Sequence, residues 1–206
     1  MKKFSKQIPI FPLSGALLLP SGNLPLNIFE PRYISMIDYA FKNNKIIGMI
    51  QPKSKNSKEL FKIGCIGKIT TYSQTNDDRY IINLKGLSKF KIINEIQHSA
   101  KFRIFNVKYE GVGFDFDKFD NNLFQKERFL KKIKSFLTAI GVDADLQSLK
   151  KVNDKSLIIM VAMICPFSVG EKQALLECKN INILADTINS LLDFEINQSN
   201  NYETIN

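Results

Sequence analysis

The strongest constraint on this chain is a strand-like apolar run that meets a proline at the start of a helix. In Pro25-Leu26-Asn27-Ile28-Phe29-Glu30-Pro31-Arg32-Tyr33 the apolar run leads into a segment where Tyr33, Ile37, Ala40 and Phe41 recur at helical spacing. Pro31 suits the first helical position, because its fixed φ is already helical and its missing N–H would have no intrahelical partner. Residues 31–43 therefore read as an amphipathic helix lying on the sheet that precedes it. Glu30 falls at or beside the N-cap, where a carboxylate accepts from the free N–H groups of the first turn, a contribution of roughly 0.5–2 kcal/mol. Glu30 and Arg32 stand too close in sequence to face each other on a helix, so they are expected to reach different partners. They read either as a ligand-binding pair or as a hydrogen-bonded corner that holds strand to helix.

Around this junction the pattern is that of short strands. Residues 1–7 read as a frayed basic lead-in. In residues 8–29, Pro9, Pro12, Pro20 and Pro25 lie among apolar residues, which suits strands at sheet edges or barrel corners, with turns at Ser14-Gly15 and Ser21-Gly22-Asn23. Ile46-Ile47-Gly48-Met49-Ile50 reads as a buried strand ended by Pro52, and residues 53–59 as a polar loop. Residues 63–72 and 80–84 flank a turn-forming cluster and read as a hairpin. Phe90 and Ile92 mark a further strand. Phe102 and Ile104 hold one alternation phase and Val107 and Tyr109 the other, which predicts a bulge near Phe105. Several short strands and one helix imply a small, partly closed barrel.

Beyond residue 110 the period changes. Residues 111–122 carry glycine, aspartate and phenylalanine without periodicity and read as a linker. Leu123, Phe129, Leu130, Ile133, Phe136, Leu137 and Ile140 predict a helix closed near Gly141, and residues 157–164 a more buried helix ended by Pro166. Ser168-Val169-Gly170-Glu171 has the spacing of a capping box opening a short helix through Glu177. Ile181, Leu184, Ile188, Leu191 and Leu192 define a last helix. The fold class is α+β: a β-rich subdomain over 1–110, the linker, a helical bundle subdomain over 123–196 and a disordered tail over 197–206.

The opening residues also carry a resemblance. Ile8-Pro9-Ile10-Phe11-Pro12-Leu13, Leu19-Pro20 and the junction Leu24-Pro25-Leu26-Asn27-Ile28-Phe29-Glu30-Pro31-Arg32-Tyr33 closely resemble the start of the Lon protease N-terminal, or substrate-binding, domain. Lys62-Ile63-Gly64-Cys65-Ile66-Gly67-Lys68-Ile69 is similar to that family's Ile-Gly-x-x-x-x-Ile strand, and Asp78-Arg79-Tyr80 to its hairpin. Leu84-Lys85-Gly86 with Phe90-Lys91-Ile92 is similar to its Gly-x-x-Arg-Phe-x-Ile segment. Glu171-Lys172-Gln173-Ala174-Leu175-Leu176-Glu177 resembles its Glu-Lys-Gln-x-Leu-Leu-Glu. Lys89 departs from the family's usual arginine and removes any bidentate contact there. The resemblance implies a PUA-like β subdomain followed by helices, in a stand-alone form without the ATPase and serine-lysine protease that follow in Lon proteases.

Tests for chemistry in the residues themselves fail. Gly64-Cys65-Ile66-Gly67-Lys68 has two residues between its glycines and Ile69 after its lysine, whereas a phosphate loop needs four and then Ser or Thr. His98 is the one histidine, and no Gly-x-Ser-x-Gly elbow accompanies it. Cys65, Cys165 and Cys178 form no Cys-x-x-Cys pair, so buried reduced thiols are expected rather than zinc or disulfides. Asp115, Asp117 and Asp120 lack the glutamate of a calcium loop. No metal, cofactor or catalytic residue is expected. The formal charge of +9 invites nucleic acid, but only Arg32, Arg79, Arg103 and Arg128 are arginines, and bidentate phosphate recognition favours arginine over lysine. The aromatic and basic stretch 101–128 is better explained as alternating core than as base-stacking surface. The charge at Met1-Lys2-Lys3 is not followed by an unbroken apolar stretch, and the apolar run 157–167 is too short to span a bilayer, so a cytoplasmic protein with no membrane partner is expected.

With the resemblance and without catalytic machinery, the expected function is capture of unfolded or damaged polypeptides as an adaptor or accessory in protein quality control. Phe29, Glu30, Arg32 and Tyr33 are expected to border the binding site. The alternatives are RNA binding through the PUA-like barrel and docking on a Lon-type protease as a regulator, with self-association as a further partner mode.

Overall fold

The computed structural model describes residues 4–54, 57–109, 111–120, 124–142 and 146–203. Residues 1–3 of the expected lead-in, 121–122 of the expected linker, Leu123 of the expected helix and 204–206 of the expected tail lie outside them, whereas the lead-in's Gln7 already belongs to the first strand.

Six strands and one helix form the β-rich part: β1 (Gln7–Pro12), β2 (Asn23–Ile28), α1 (Pro31–Lys42), β3 (Ile46–Ile50), β4 (Ile63–Gln74), β5 (Tyr80–Ile96) and β6 (Arg103–Lys108). Their order is β2-β5-β4-β3-β1-β6, and β5 pairs again with β6. Five strands thus close a ring, with β2 attached outside it along the first half of β5. Only the β1–β3 pairing is parallel. That crossover is made by the segment holding β2 and α1. All five ring strands contribute to one buried cluster: Ile8, Ile10, Ile50, Ile66, Phe90, Phe105 and Val107. This cluster fills the ring.

The outer face of the ring is also buried. α1 lays Tyr33, Met36, Ile37 and Ala40 over Phe11, Ile47, Met49, Cys65, Ile82 and Leu84 in a second cluster. Two apolar faces explain β6, where Phe105 and Val107 point into the ring while Ile104, with Phe102 just before the strand, joins the outer cluster. Both phases are therefore filled, and β6 needs no bulge at Phe105. The bulge is in its partner: the register skips Ile93 between Ile92 and Asn94 of β5. The hairpin's second strand and the strand of Phe90 and Ile92 are one continuous element. Gly86 lies at its middle, where a Cβ would overlap the Leu19 carbonyl oxygen. The Ser21 N–H and the Gly86 carbonyl bond there at 2.9 Å, pinning the turn before β2 to β5.

The helical part comprises α2 (Lys126–Ala139), α3 (Leu146–Lys150), α4 (Asp154–Ile164), α5 (Val169–Glu177) and α6 (Ile181–Glu203). α2 stops as expected: Gly141 takes φ +71°, its N–H bonds Thr138 O at 3.0 Å and the Val142 N–H bonds Leu137 O at 2.8 Å, a Schellman closure. α3, at five residues, is too short for its period to show in the sequence. α6 continues past Ile196 into residues assigned by sequence reading to a tail, where no glycine or proline interrupts it. The segment 111–120 packs Phe114, Phe116 and Phe119 against the outer cluster, and Lys155 Nζ donates to Phe116 O at 2.6 Å. That cluster runs unbroken from α1 through Leu17, Leu18 and Leu19 into α2, α4, α5 and α6.

Four polar side chains are buried among the described residues, Gln51, Lys89, Lys172 and Gln173. Each reaches across the junction between α5 and the barrel. Gln51 Nε2 donates to Val169 O (3.2 Å) and Gln173 Nε2 to Ile63 O (3.2 Å). Lys172 Nζ donates to Gly15 O (2.6 Å), and Lys89 Nζ to Cys178 O. Buried polar groups are tolerated where each finds a partner, and the partner's direction then fixes the orientation of the element carrying it.

Candidate functional site: a groove beside the edge strand

A groove of about 770 Å³ opens where the end of β2, the start of α1, the end of β1, the 52–58 loop and the β5–β6 hairpin converge. Phe29, Glu30, Arg32 and Tyr33 all line it. Its floor is apolar: Phe11, Ile28, Tyr33 and Phe102 are buried side chains of the lining. Phe11 and Tyr33 pack with ring centroids 4.4 Å apart. Burial raises the Tyr33 phenol above its ordinary value of 10.0, with Arg32 opposing. Phe29 stands at the rim, 60% exposed, with the Arg79 guanidinium 5.9 Å from its ring centroid.

The rim carries two ion pairs. Glu30 is the N-cap of α1 in extended backbone (φ −71°, ψ 132°), but its side chain makes no cap bond. Its carboxylate instead accepts from Arg32 Nε at 2.9 Å and lies 2.8 Å from Nη2. The expectation of separate partners fails because Glu30 precedes the helix: extended backbone at the cap swings its side chain back over the first turn, where helical spacing rules do not apply. Arg32 also lies over the Tyr33 ring at 4.5 Å. Across the groove, Arg103 forms a two-pronged pair with Glu95, Nε to Oε1 at 2.8 Å and Nη2 to Oε2 at 2.7 Å. This pairing holds the Glu95 carboxyl below its ordinary value of 4.5. The remaining guanidinium nitrogen Nη1 donates to Lys58 O at 2.9 Å and so ties the backbone at Lys58 to β6.

β2 reaches the groove through Leu26, Asn27 and Ile28, and it is the edge strand of the sheet. Its exposure alternates, with Asn23, Pro25 and Asn27 outward. An apolar floor beside a sheet edge can take an extended chain, main chain along the strand and alternate side chains downward. The wall opposite the junction was not marked by sequence reading. Glu95, Phe102 and Arg103 share the β5–β6 hairpin, which the ring closure brings to α1, and Lys58, far from it in the chain, joins them through the Arg103 bond to its carbonyl.

The remaining sequence candidates carry no such arrangement. Cys65, Cys165 and Cys178 are buried free thiols. Burial pushes Cys65 up to about 12 and Cys165 to about 11, the wrong direction for a nucleophile. His98 Nδ1 accepts from the Ala100 N–H at 2.9 Å on an exposed turn. Gly67 sits in β4 where a Cβ would overlap Leu84, so its glycine answers to packing, and Lys68 beside it points to solvent. The Asp115 carboxylate accepts from the N–H groups of Asp117 (3.0 Å) and Lys118 (3.3 Å), as a turn former does. Among the described residues, no group of three His, Cys, Asp or Glu is placed to hold a metal ion, and no helix is long and apolar enough to cross a membrane.

The motif residues of α5 are explained by docking. Ser168 Oγ accepts from the Glu171 N–H (3.3 Å) and Glu171 Oε2 from the Ser168 N–H (2.7 Å), a complete capping box. Lys172 and Gln173 tether the helix to the barrel, and Leu175 and Leu176 enter the core.

Comparison with known proteins matches this architecture. Lon protease from Desulfosudis oleivorans is 26% identical over 207 residues, 94% of this chain and 24% of that protein. Lon protease 2 from Myxococcus xanthus is 22% identical over 195 residues, 90% of this chain and 23% of that protein. The chain thus spans about a quarter of the length of these curated relatives. The crystal structure of a Lon N-terminal domain protein from Xanthomonas campestris superposes with TM-score 0.62 at 16% identity, covering 91% of this chain and 97% of that one. The N-terminal domain of Mycobacterium avium complex Lon protease superposes with TM-score 0.63 at 14% identity, covering 92% and 98%. The family model described as the ATP-dependent protease La (LON) substrate-binding domain matches residues 7–193, and this chain, a mixed α+β domain with a strand ring and a helical half, belongs to that family.

Proposed function

We propose that this chain is a non-catalytic module that binds exposed apolar segments of unfolded or damaged polypeptides, serving as an adaptor or accessory in protein quality control. The observation that carries the reading is the groove itself: an apolar, aromatic-rich floor beside the edge strand, with Phe29 exposed at its mouth. Large exposed apolar side chains rimmed by charge mark interaction surfaces, and an open edge gives an extended ligand main-chain partners. Membership in the family of LON substrate-binding domains supports the same reading. Affinity in the micromolar range, about −8 kcal/mol, suits capture followed by release.

Fluorescence anisotropy of a labelled, permanently unfolded polypeptide titrated with this protein tests the proposal. Saturable binding that persists at high salt and resists RNA as competitor is expected. Phe29→Ala is expected to weaken binding about 5- to 10-fold with little change in stability, because the ring is 60% exposed. Binding that vanishes with salt and yields to RNA would replace this reading with an RNA-binding one. No binding, together with co-purification of a Lon-type protease, would replace it with a docking regulator.

A further inference from the structure

The geometry points to a charge preference in this groove: it selects extended polypeptide segments whose apolar core is flanked by Asp or Glu. This rests on the polypeptide-binding reading above. The rim holds four cations, Arg32, Lys58, Lys101 and Arg103, and two anions, Glu30 and Glu95. Each anion is already engaged by an arginine, Glu30 by Arg32 at 2.8 Å and Glu95 by Arg103 at 2.7 Å. Lys58 and Lys101 are exposed, and among the described residues neither has a carboxylate partner.

Their placement is fixed by the fold. Arg103 Nη1 holds the Lys58 carbonyl at 2.9 Å, the Lys53 N–H bonds Glu59 O at 2.9 Å, and Pro52 bridges Leu60, so the loop presents Lys58 at the groove. Lys101 directly precedes Phe102, whose buried ring packs 5.3 Å from Tyr39 and anchors that wall. Two unneutralised ammonium groups therefore stand beside an apolar floor. A carboxylate next to an apolar anchor meets an opposite charge there, and a lysine or arginine in the same place meets a like one. The paired arginines do not offset this, because their carboxylates are occupied.

Three fluorescein-labelled peptides with one shared apolar core test the preference, flanked respectively by Asp and Glu, by Ser and Gly, and by Lys and Arg. At low ionic strength the acidic-flanked peptide is expected to bind about five-fold tighter than the neutral one, and the basic-flanked peptide weaker than both. In the double variant Lys58→Glu/Lys101→Glu, both sites being exposed, the order is expected to invert. Equal affinities for the three, or an order unchanged in the variant, would overturn the charge preference and leave the groove reading standing. Failure of the neutral-flanked peptide to bind would overturn the groove reading and the preference with it. Displacement of the acidic-flanked peptide by single-stranded RNA, at lower concentration than by the unlabelled peptide itself, would reassign the lysines to phosphate.

Discussion

Lys89 is the side chain whose surroundings say most about the fold. Sequence comparison of motifs marks it as a lysine in an arginine's place, and in the structure its ammonium is buried between the Cys178 carbonyl and the face of Phe114, 4.5 Å from the ring centroid. Burial lowers it from 10.5 to about 8. The folded chain thus holds this proton more weakly than the unfolded chain, so stability from this group rises with pH between about 8 and 10.5 and is flat below. Cys65 and Cys165 act the other way, since their raised thiols lower stability once the unfolded thiols ionise near 9.0. Between pH 8 and 9 the Lys89 gain therefore runs against the thiols, and only a comparison with a variant lacking Lys89 isolates it. Urea unfolding of the two proteins is expected to differ by about 1 kcal/mol more at pH 9 than at pH 8, because Lys89→Met loses the Lys89 gain and keeps the opposing fall from the thiols. The same change between pH 8 and 9 in both proteins would contradict the assignment.

At the level of elements, α5 shows what sequence can and cannot convey. The box Ser168 to Glu171 was legible because capping depends on spacing within one turn. Ser168→Ala is expected to cost about 1 kcal/mol, read as a lower urea midpoint with an unchanged slope; no shift would mean that the tethers alone hold the helix start. What α5 binds was not legible, because Lys172 reaches Gly15 and Gln173 reaches Ile63, positions more than a hundred residues away. The strands show the same division. The hairpin of residues 63–72 and 80–84 was legible from the turn-forming cluster between its arms, but β6 read as bulged, since a strand buried on both faces has no single phase. In the groove, Phe29 to Tyr33 were marked by the proline junction, whereas Phe102 and Arg103 carried no local sign and took their place through the β5–β6 pairing. Glu30 and Arg32 were assigned different partners because helical spacing was applied one residue before the helix begins.

For the molecule as a whole, the ring keeps its inner cluster, but one outer apolar cluster and four buried tethers join the barrel to the helices, so the helical half has no core apart from the barrel's outer face. Unfolding is expected as a single transition, with helical signal at 222 nm and tyrosine near-ultraviolet signal falling together; two resolved midpoints would show that the junction parts first. The remaining opening in the architecture is β2, which the ring leaves unpaired along its outer side. A free sheet edge invites pairing with its own copies, and growth of sheet on sheet would end in fibrils. Pro25, facing outward in the middle of β2, withholds an N–H where such stacking would need one. Pro25→Val should therefore turn light scattering concentration-dependent while the parent stays clear; equal clarity would show that the flanking asparagines suffice. The imino acid in the junction motif then serves as a gatekeeper against self-templated assembly, keeping a chain with a free sheet edge dispersed.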